Sequence, residues 1–197
     1  VKKPLSVLVI GVLFGLALPL ASQEPTEPAR AFQSGAVVSA GAKATRMRGS
    51  ITTMIGGDAA VYVTRATSVG ISGWALIDRI TITSETFGSD LALDVAYGGL
   101  MVEHKPSPRE DNFWALRVLL GAGNATVSLP LVSTEIAADN FGVVEPEILA
   151  GLSLLTFLKA SAHVSYRFVY GVEDLPQVTG GQLRGVAASV SFSVGPF

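Results

Sequence analysis

The chain has no cysteine, which removes disulfides and thiolate metal sites from consideration. Of its two histidines, His104 and His163, the former has no His or Cys neighbour, and no metal site is expected. Charge is scarce and balanced: charged residues make up 15% of the chain and the net charge is −2. Without a basic excess, nucleic acid is not expected as a partner. The glycine pairs Gly56-Gly57, Gly98-Gly99 and Gly180-Gly181 do not open a helix after a strand, so no phosphate-cradling loop is present and no cofactor is expected. Also missing, past the N-terminal segment, is any run of about 18 apolar residues that would make a helical membrane span. The longest candidate, 148–158, is interrupted by Gly151, Ser153 and Thr156.

Hydrophobic residues nevertheless make up 49% of the chain, and their spacing explains where they go. Residues 158–171 read LKASAHVSYRFVYG, with Leu158, Ala160, Ala162, Val164, Tyr166, Phe168 and Tyr170 alternating against Lys159, Ser161, His163, Ser165 and Arg167. A period of two is a strand with one apolar face and one charged or small face. A soluble protein rarely points a row of Lys, His and Arg at its core. A membrane barrel does, because its apolar face meets lipid and its polar face lines a narrow lumen. A closed barrel also satisfies every backbone group without a helical span.

Seven further segments repeat the pattern, at 35–47, 52–64, 68–78, 91–103, 113–127, 141–154 and 183–194. The expected fold is therefore all-β, an eight-stranded antiparallel up-and-down transmembrane β-barrel over 35–197. Connections 65–67, 104–112 and 155–157 are expected at the periplasmic end, and the longer 79–90, 128–140 and 172–182 outside, as short inner turns and longer outer loops are the rule in such barrels. Residues 1–22, with Lys2 and Lys3 before an apolar stretch and Ala21-Ser22 after it, are expected to be a cleaved secretory signal peptide, and 23–34 a short periplasmic leader.

Strand parity then assigns faces. Lys43, Asp58, Asp94, Arg117, Glu145, Glu147, Lys159, His163 and Arg167 are expected inward, as a charge network that plugs a lumen wide enough only for side chains. In the 91–103 strand, Leu91, Leu93, Val95, Tyr97 and Met101 are expected on the lipid side. Pro146, facing outward, is expected at a bulge. Phe192 and the terminal Phe197 are candidates for a barrel-assembly signal, so outer-membrane lipid and the barrel-assembly machinery are the expected partners; an extracellular ligand, if any, is left unnamed. His163 and Ser165, with Glu173 as carboxylate, offer a second reading as a lipid A deacylase-like enzyme. A third is a soluble lipocalin-like barrel holding an apolar ligand. The facing of His163 toward the lumen, away from lipid, favours the non-enzymatic reading.

The stretches IGGDAAVYV (55–63), YGGLMVEH (97–104), LLGAGNATVS (119–128), FGVVEPEILAGLSL (141–154) and SYRFVYGVEDLP (165–176), with the closing GVAASVSFSVGPF, resemble small outer-membrane β-barrel proteins of Gram-negative bacteria, in the OmpA/OmpX-like eight-stranded class. The resemblance implies a barrel in the cell outer membrane. It implies no activity.

Overall fold

The computed structural model describes residues 35–84, 89–106, 112–129, 134–173, 175 and 178–195, within a compact unit that spans 32–197. The expected signal peptide (1–22), the leader (23–34) and Phe197 lie outside the described residues. The elements are β1 (Ala36–Met47), β2 (Ser50–Tyr62), β3 (Thr67–Leu76), β4 (Ile80–Ser84), β5 (Ser89–His104), β6 (Asn112–Leu129), β7 (Thr134–Leu155), β8 (Leu158–Tyr170), the single-turn helix α1 (Gly180–Leu183) and β9 (Gly185–Val194). The sheet order is β3-β2-β1-β9-β8-β7-β6-β5-β4, all pairs are antiparallel, and β3 also pairs with β5. That last pairing closes the sheet. β3 and β4 lie end to end along β5, interrupted at 77–79, so together they form one stave of an eight-stranded barrel.

Over the height the staves share, closure leaves no strand edge, which suits a chain that must satisfy its backbone in lipid; above it β4 pairs only with β5, and β7 has no partner on β8 before Gly142. The outer face is apolar: Val38, Ile55, Val61, Ile71, Leu100, Val118, Leu120, Ile148, Leu152, Val164, Val190 and Val194 are all exposed. A lipocalin-type barrel would hold such residues inside, so the soluble reading is not the one this fold takes. Exposed aromatic residues sit toward both rims, Trp114, Phe157 and Phe192 at the end where β1 starts and β9 finishes, Tyr166, Phe168 and Tyr170 toward the other. These are the girdles expected where lipid meets headgroups.

Three inward aromatic rings rest on glycines directly across a strand pair. Trp74 pairs with Gly56, Phe141 with Gly123, and Phe113 with Gly151. A methyl group at any of the three glycines would come within 2.6 Å of the ring. Small residues opposite large ones are how a narrow barrel accommodates bulk.

The two ends of the barrel differ in height. β1 and β2 are joined by a two-residue turn in which Arg48 (φ 50°) and Gly49 (φ 82°) are both left-handed, as a tight hairpin requires. On the opposite wall β6 and β7 run for 18 and 22 residues. Much of the expected outer loops 79–90 and 128–140 is therefore strand: β4 occupies part of the first, and β6 and β7 extend through most of the second. The expected short turn at 104–112 is reduced to 105–111 and is longer than its counterpart 156–157. Pro146 marks no bulge. Val144 pairs with Phe168 and Glu147 with Ser165, so the register is unchanged across it; the shifts fall at Val127/Ser128 and Ser153/Leu155.

Because the outward apolar residues face lipid, Leu120→Arg is expected to destabilise the barrel by about 2–4 kcal/mol, although Leu120 is 54% exposed. Urea unfolding from lipid vesicles measures this, and an effect near zero would contradict a lipid-facing position.

Candidate functional site

The inside of the barrel has two storeys. Toward the loop end it is a hydrophobic core built from Met47, Met54, Ile82, Leu91, Leu93, Val127, Phe141, Val143 and Val169, closed by Leu175, Val178 and Leu183 from the segment between β8 and β9. Below this cap lies a set of buried charges. At its centre, Lys43 Nζ lies 2.7 Å from Glu145 Oε1 and 3.5 Å from Glu147 Oε1, and the Lys43 and Glu145 side chains have no exposed surface. Glu145 also accepts from the Tyr97 hydroxyl (2.7 Å) and the Ser165 hydroxyl (2.6 Å). The Lys43 ammonium sits 4.1 Å from the centre of the Trp74 ring, a cation–π contact that a desolvated ammonium favours.

Toward the terminal end, Arg117 joins three carboxylates. Its Nη2 is 2.6 Å from Glu103 Oε2, its Nη1 is 3.0 Å from Asp58 Oδ1, and Nη1 lies 3.9 Å from Glu147 Oε2. Asp58 also accepts from Ser39. Glu103 is shared with Lys105 at 3.3 Å, and Lys105 donates to the Tyr62 hydroxyl at 2.7 Å. Lys105 and Lys159 both lie over the Phe113 ring, at 4.8 and 5.0 Å. These contacts tie strands that are not neighbours in the sheet: β1 to β7, and β2 to β6 through Asp58 and Arg117.

His163 is held at both nitrogens, Nδ1 3.2 Å from Glu147 Oε2 and Nε2 2.9 Å from Ser191 Oγ. A carboxylate only accepts, so Nδ1 donates, and in the neutral ring Nε2 accepts from Ser191. Ser191, His163 and Glu147 thus have the order of a nucleophile, base and acid. His163 lines neither the cavity in the lumen nor the groove on the outer face. The lumenal cavity near it has a volume of about 20 Å³, and its lining includes Asp58, Glu103, Lys105 and Arg117 but neither His163 nor Ser191. A wider groove of about 630 Å³ on the outer face is lined by Trp114, Phe192 and Ser191 among others, while the Ser191 hydroxyl itself is bonded to buried His163. Ser165 bonds Glu145 and not His163, and the Glu173 backbone N–H is bound by Asp139 (2.8 Å). The candidate set His163, Ser165 and Glu173 is therefore not assembled.

The structure places Lys43, Asp58, Arg117, Glu145, Glu147, His163 and Arg167 inside and buried, with Lys159 at the mouth of the lumenal cavity. Asp94 is a correction. It faces outward, with its side chain 45% exposed, 3.7 Å from Arg79. The residues expected on the lipid side of that strand, Leu91, Leu93, Val95, Tyr97 and Met101, are buried inside. At that height the interior is apolar and the exterior is wet, so the membrane rule of apolar outside does not apply. The same misplaced face hid Glu103 and Tyr97, both members of the network. Alternation alone could not find them; the His104 and Lys105 flank is the one polar signal nearby. Arg167 also departs from expectation. Among the described residues it forms no ion pair, and joins Glu145 only through the Tyr97 hydroxyl (3.4 Å), donating instead to Thr45 Oγ1 and, through Nε at 3.0 Å, to the Leu183 carbonyl of the cap.

A barrel with buried charges inside and an apolar belt outside has counterparts of known structure. The N-terminal β-barrel domain of Pseudomonas aeruginosa OprF is similar over 84% of this chain and 99% of its own, with 10% identity and a TM-score of 0.56. Neisserial surface protein A matches over 82% and 96%, with 9% identity and a TM-score of 0.58. Ail, the attachment invasion locus protein of Yersinia pestis, matches over 82% and 97%, with 9% identity and a TM-score of 0.51. This chain has the fold of the eight-stranded outer-membrane β-barrels. At such identities the likeness is one of fold. No protein-family model and no curated protein matches the chain.

The barrel gains rigidity from this network only while each charge keeps its partner. Glu145→Leu leaves Lys43 buried with its nearest carboxylate gone and is expected to cost about 3–5 kcal/mol, whereas adding Lys43→Met should restore most of the loss. Unfolding followed by Trp74 fluorescence, in a Trp114→Phe background, compares the two; equal losses in both would contradict the pairing.

Proposed function

We propose that this barrel is a non-conducting outer-membrane protein with a structural or surface-interaction role. The closed outer mouth carries the reading. Leu175, Val178 and Leu183 fill it, Arg167 holds the Leu183 carbonyl from below, and Arg48 holds the Gln182 carbonyl from the rim at 2.9 Å. Beneath the cap the paired charges fill the lumen. A through-pore would need both layers displaced.

The start of β1 and the end of β9 share one rim with the connections 63–66, 105–111 and 156–157, and we assign that rim to the periplasm; the tall wall of β4 to β7 then stands outside. Its outward side chains include Asp90, Asp94, Asn124, Thr126 and Asn140, polar and short of basic residues. Surface recognition would reside on this wall and on the cap segment, since the strand faces below are committed to lipid and lumen. The neighbour Ail is described as an attachment invasion protein, which is the kind of surface role meant here. Assembly would use the barrel-assembly machinery, with outward Phe192 as the described part of the signal. Catalysis is not part of the proposal, because the Ser191 hydroxyl is bonded to buried His163, and His163 lines neither the lumenal cavity nor the outer groove.

Two measurements check this. In planar bilayers the refolded protein should give no stable single-channel current, and a large steady conductance would overturn the closed lumen. In cells expressing the protein, His163→Ala and Ser191→Ala should leave the lipid A mass spectrum as it is with the wild type, with no acyl chain lost in any of the three. Loss of a chain that depends on either residue would make the barrel an enzyme.

A further inference from the structure

The loop end is low on one side, where β8, β9 and the β1–β2 turn stop near the apolar belt. Three arginines meet at this corner. Arg46 is the last outward residue of β1, following Val38, Ala40, Ala42 and Ala44, and pairs across the hairpin with Ile51, which is 77% exposed. Arg184 precedes β9, and the β9 backbone presses against Arg46: a methyl group on Gly185 would come 2.5 Å from the Arg46 carbonyl oxygen. Arg48 reaches the same segment, donating to the Gln182 side chain at 3.0 Å in addition to the backbone contact already described. The fold thus brings Arg46 and Arg48 of the β1–β2 hairpin and Arg184 of the segment before β9 to one rim.

Among the described residues, neither Arg46 nor Arg184 takes part in an ion pair. Inside the barrel, by contrast, Lys43, Lys105 and Arg117 each have a carboxylate. Arg184 uses Nε on the Val169 carbonyl (2.9 Å) and lies 5.3 Å from the Tyr170 ring centre, an arrangement that fixes the guanidinium at the rim. Beside these arginines are exposed Tyr166, Phe168 and Val186, with Tyr166 and Val186 paired across β8 and β9. Cations at headgroup level beside an aromatic and aliphatic face fit a ligand with an anionic head and apolar tails. Guanidinium groups match the paired oxygens of a phosphate better than an ammonium does.

We propose that Arg46 and Arg184 bind the phosphate of a phosphorylated outer-leaflet lipid, whose acyl chains lie on Tyr166, Phe168 and Val186. The proposal rests on the orientation given above, with the loop end outside. The partner is a lipid and not a free anion, because the apolar face beside the arginines is continuous with the lipid-facing belt.

The test uses the full chain folded in detergent, with bisphosphorylated lipid A, the same lipid stripped of its phosphates, and inorganic phosphate as probes. Lipid retained on the protein is counted by native mass spectrometry. Bisphosphorylated lipid A should be retained, and Arg46→Gln with Arg184→Gln should weaken retention about tenfold or more. Arg65→Gln at the opposite rim should leave it unchanged. Heat-resistant electrophoretic mobility establishes that each variant is folded. Equal retention of the dephosphorylated lipid, full retention by the double variant, competition by inorganic phosphate, or an equal loss in the Arg65 variant would each overturn the site. Orientation is tested separately by Ser50→Cys on intact cells with a membrane-impermeant maleimide. Failure to label would overturn the orientation and the proposal with it; labelling together with unchanged lipid retention in the double variant would overturn the arginine site alone.

Discussion

The ion pair between Lys43 and Glu145 is the contact on which the interior depends. Both side chains are fully buried, so each is tolerable only while the other is present. Satisfying them draws in further groups: Tyr97 and Ser165 complete Glu145, Glu147 shares Lys43 and turns to Arg117 and His163, and Arg117 brings Asp58 and Glu103. The resulting set spans the lumen from β1 to β7 and from β2 to β6. A barrel wall has no layer behind it to pack against, and here the cross-lumen pairs take the place of a conventional core.

Above that level the interior changes character, and so does the exterior. Along β5 the inward residues pass from Leu91, Leu93 and Val95 through Tyr97 and Met101 to Glu103, while the outward ones pass from Asp90 and Asp94 to Leu100 and Val102. β7 shows the same crossover, from Phe141 and Val143 to Glu145 and Glu147 inside and from Asn140 to Val144 and Ile148 outside. The solvent decides both faces. Where the wall stands in water, the ordinary globular arrangement returns, with a hydrophobic core and a polar surface. Where it stands in lipid, the outer face must be apolar, and the polar groups the strands carry are turned inward.

The cap joins the two levels. Arg167 lies at the boundary, donating upward to the Leu183 carbonyl and sideways to Thr45 and Tyr97, so the charged lumen and the apolar lid hold one another. The lopsided rim follows from strand length. A two-residue turn ends β1 early on one side, while β6 and β7 continue on the other, which leaves a basic corner near the lipid and a polar wall in the medium. Closed lumen, polar wall and basic corner are three consequences of one sheet with staves of unequal length.

Alternation with a period of two was enough to identify the architecture: every strand but β4 is visible as a run, and a chain this apolar without a helical span has few other ways to fold. The facing of β1, β2, β6, β7, β8 and β9 could also be read residue by residue, because within the bilayer the lipid face is uniformly apolar. Asp94, Glu103 and Tyr97 could not be placed that way. Along β5 the apolar set changes sides of the wall relative to its surroundings, and only the height of each residue against the membrane says which side is wet. Nor does sequence reveal partners across the lumen. Lys43 and Glu145, or Arg46 and Arg184, are more than a hundred residues apart, and strand periodicity fixes a side chain's face without fixing its neighbours. Register and closure supply those, because the barrel alone determines which staves stand opposite and at what level.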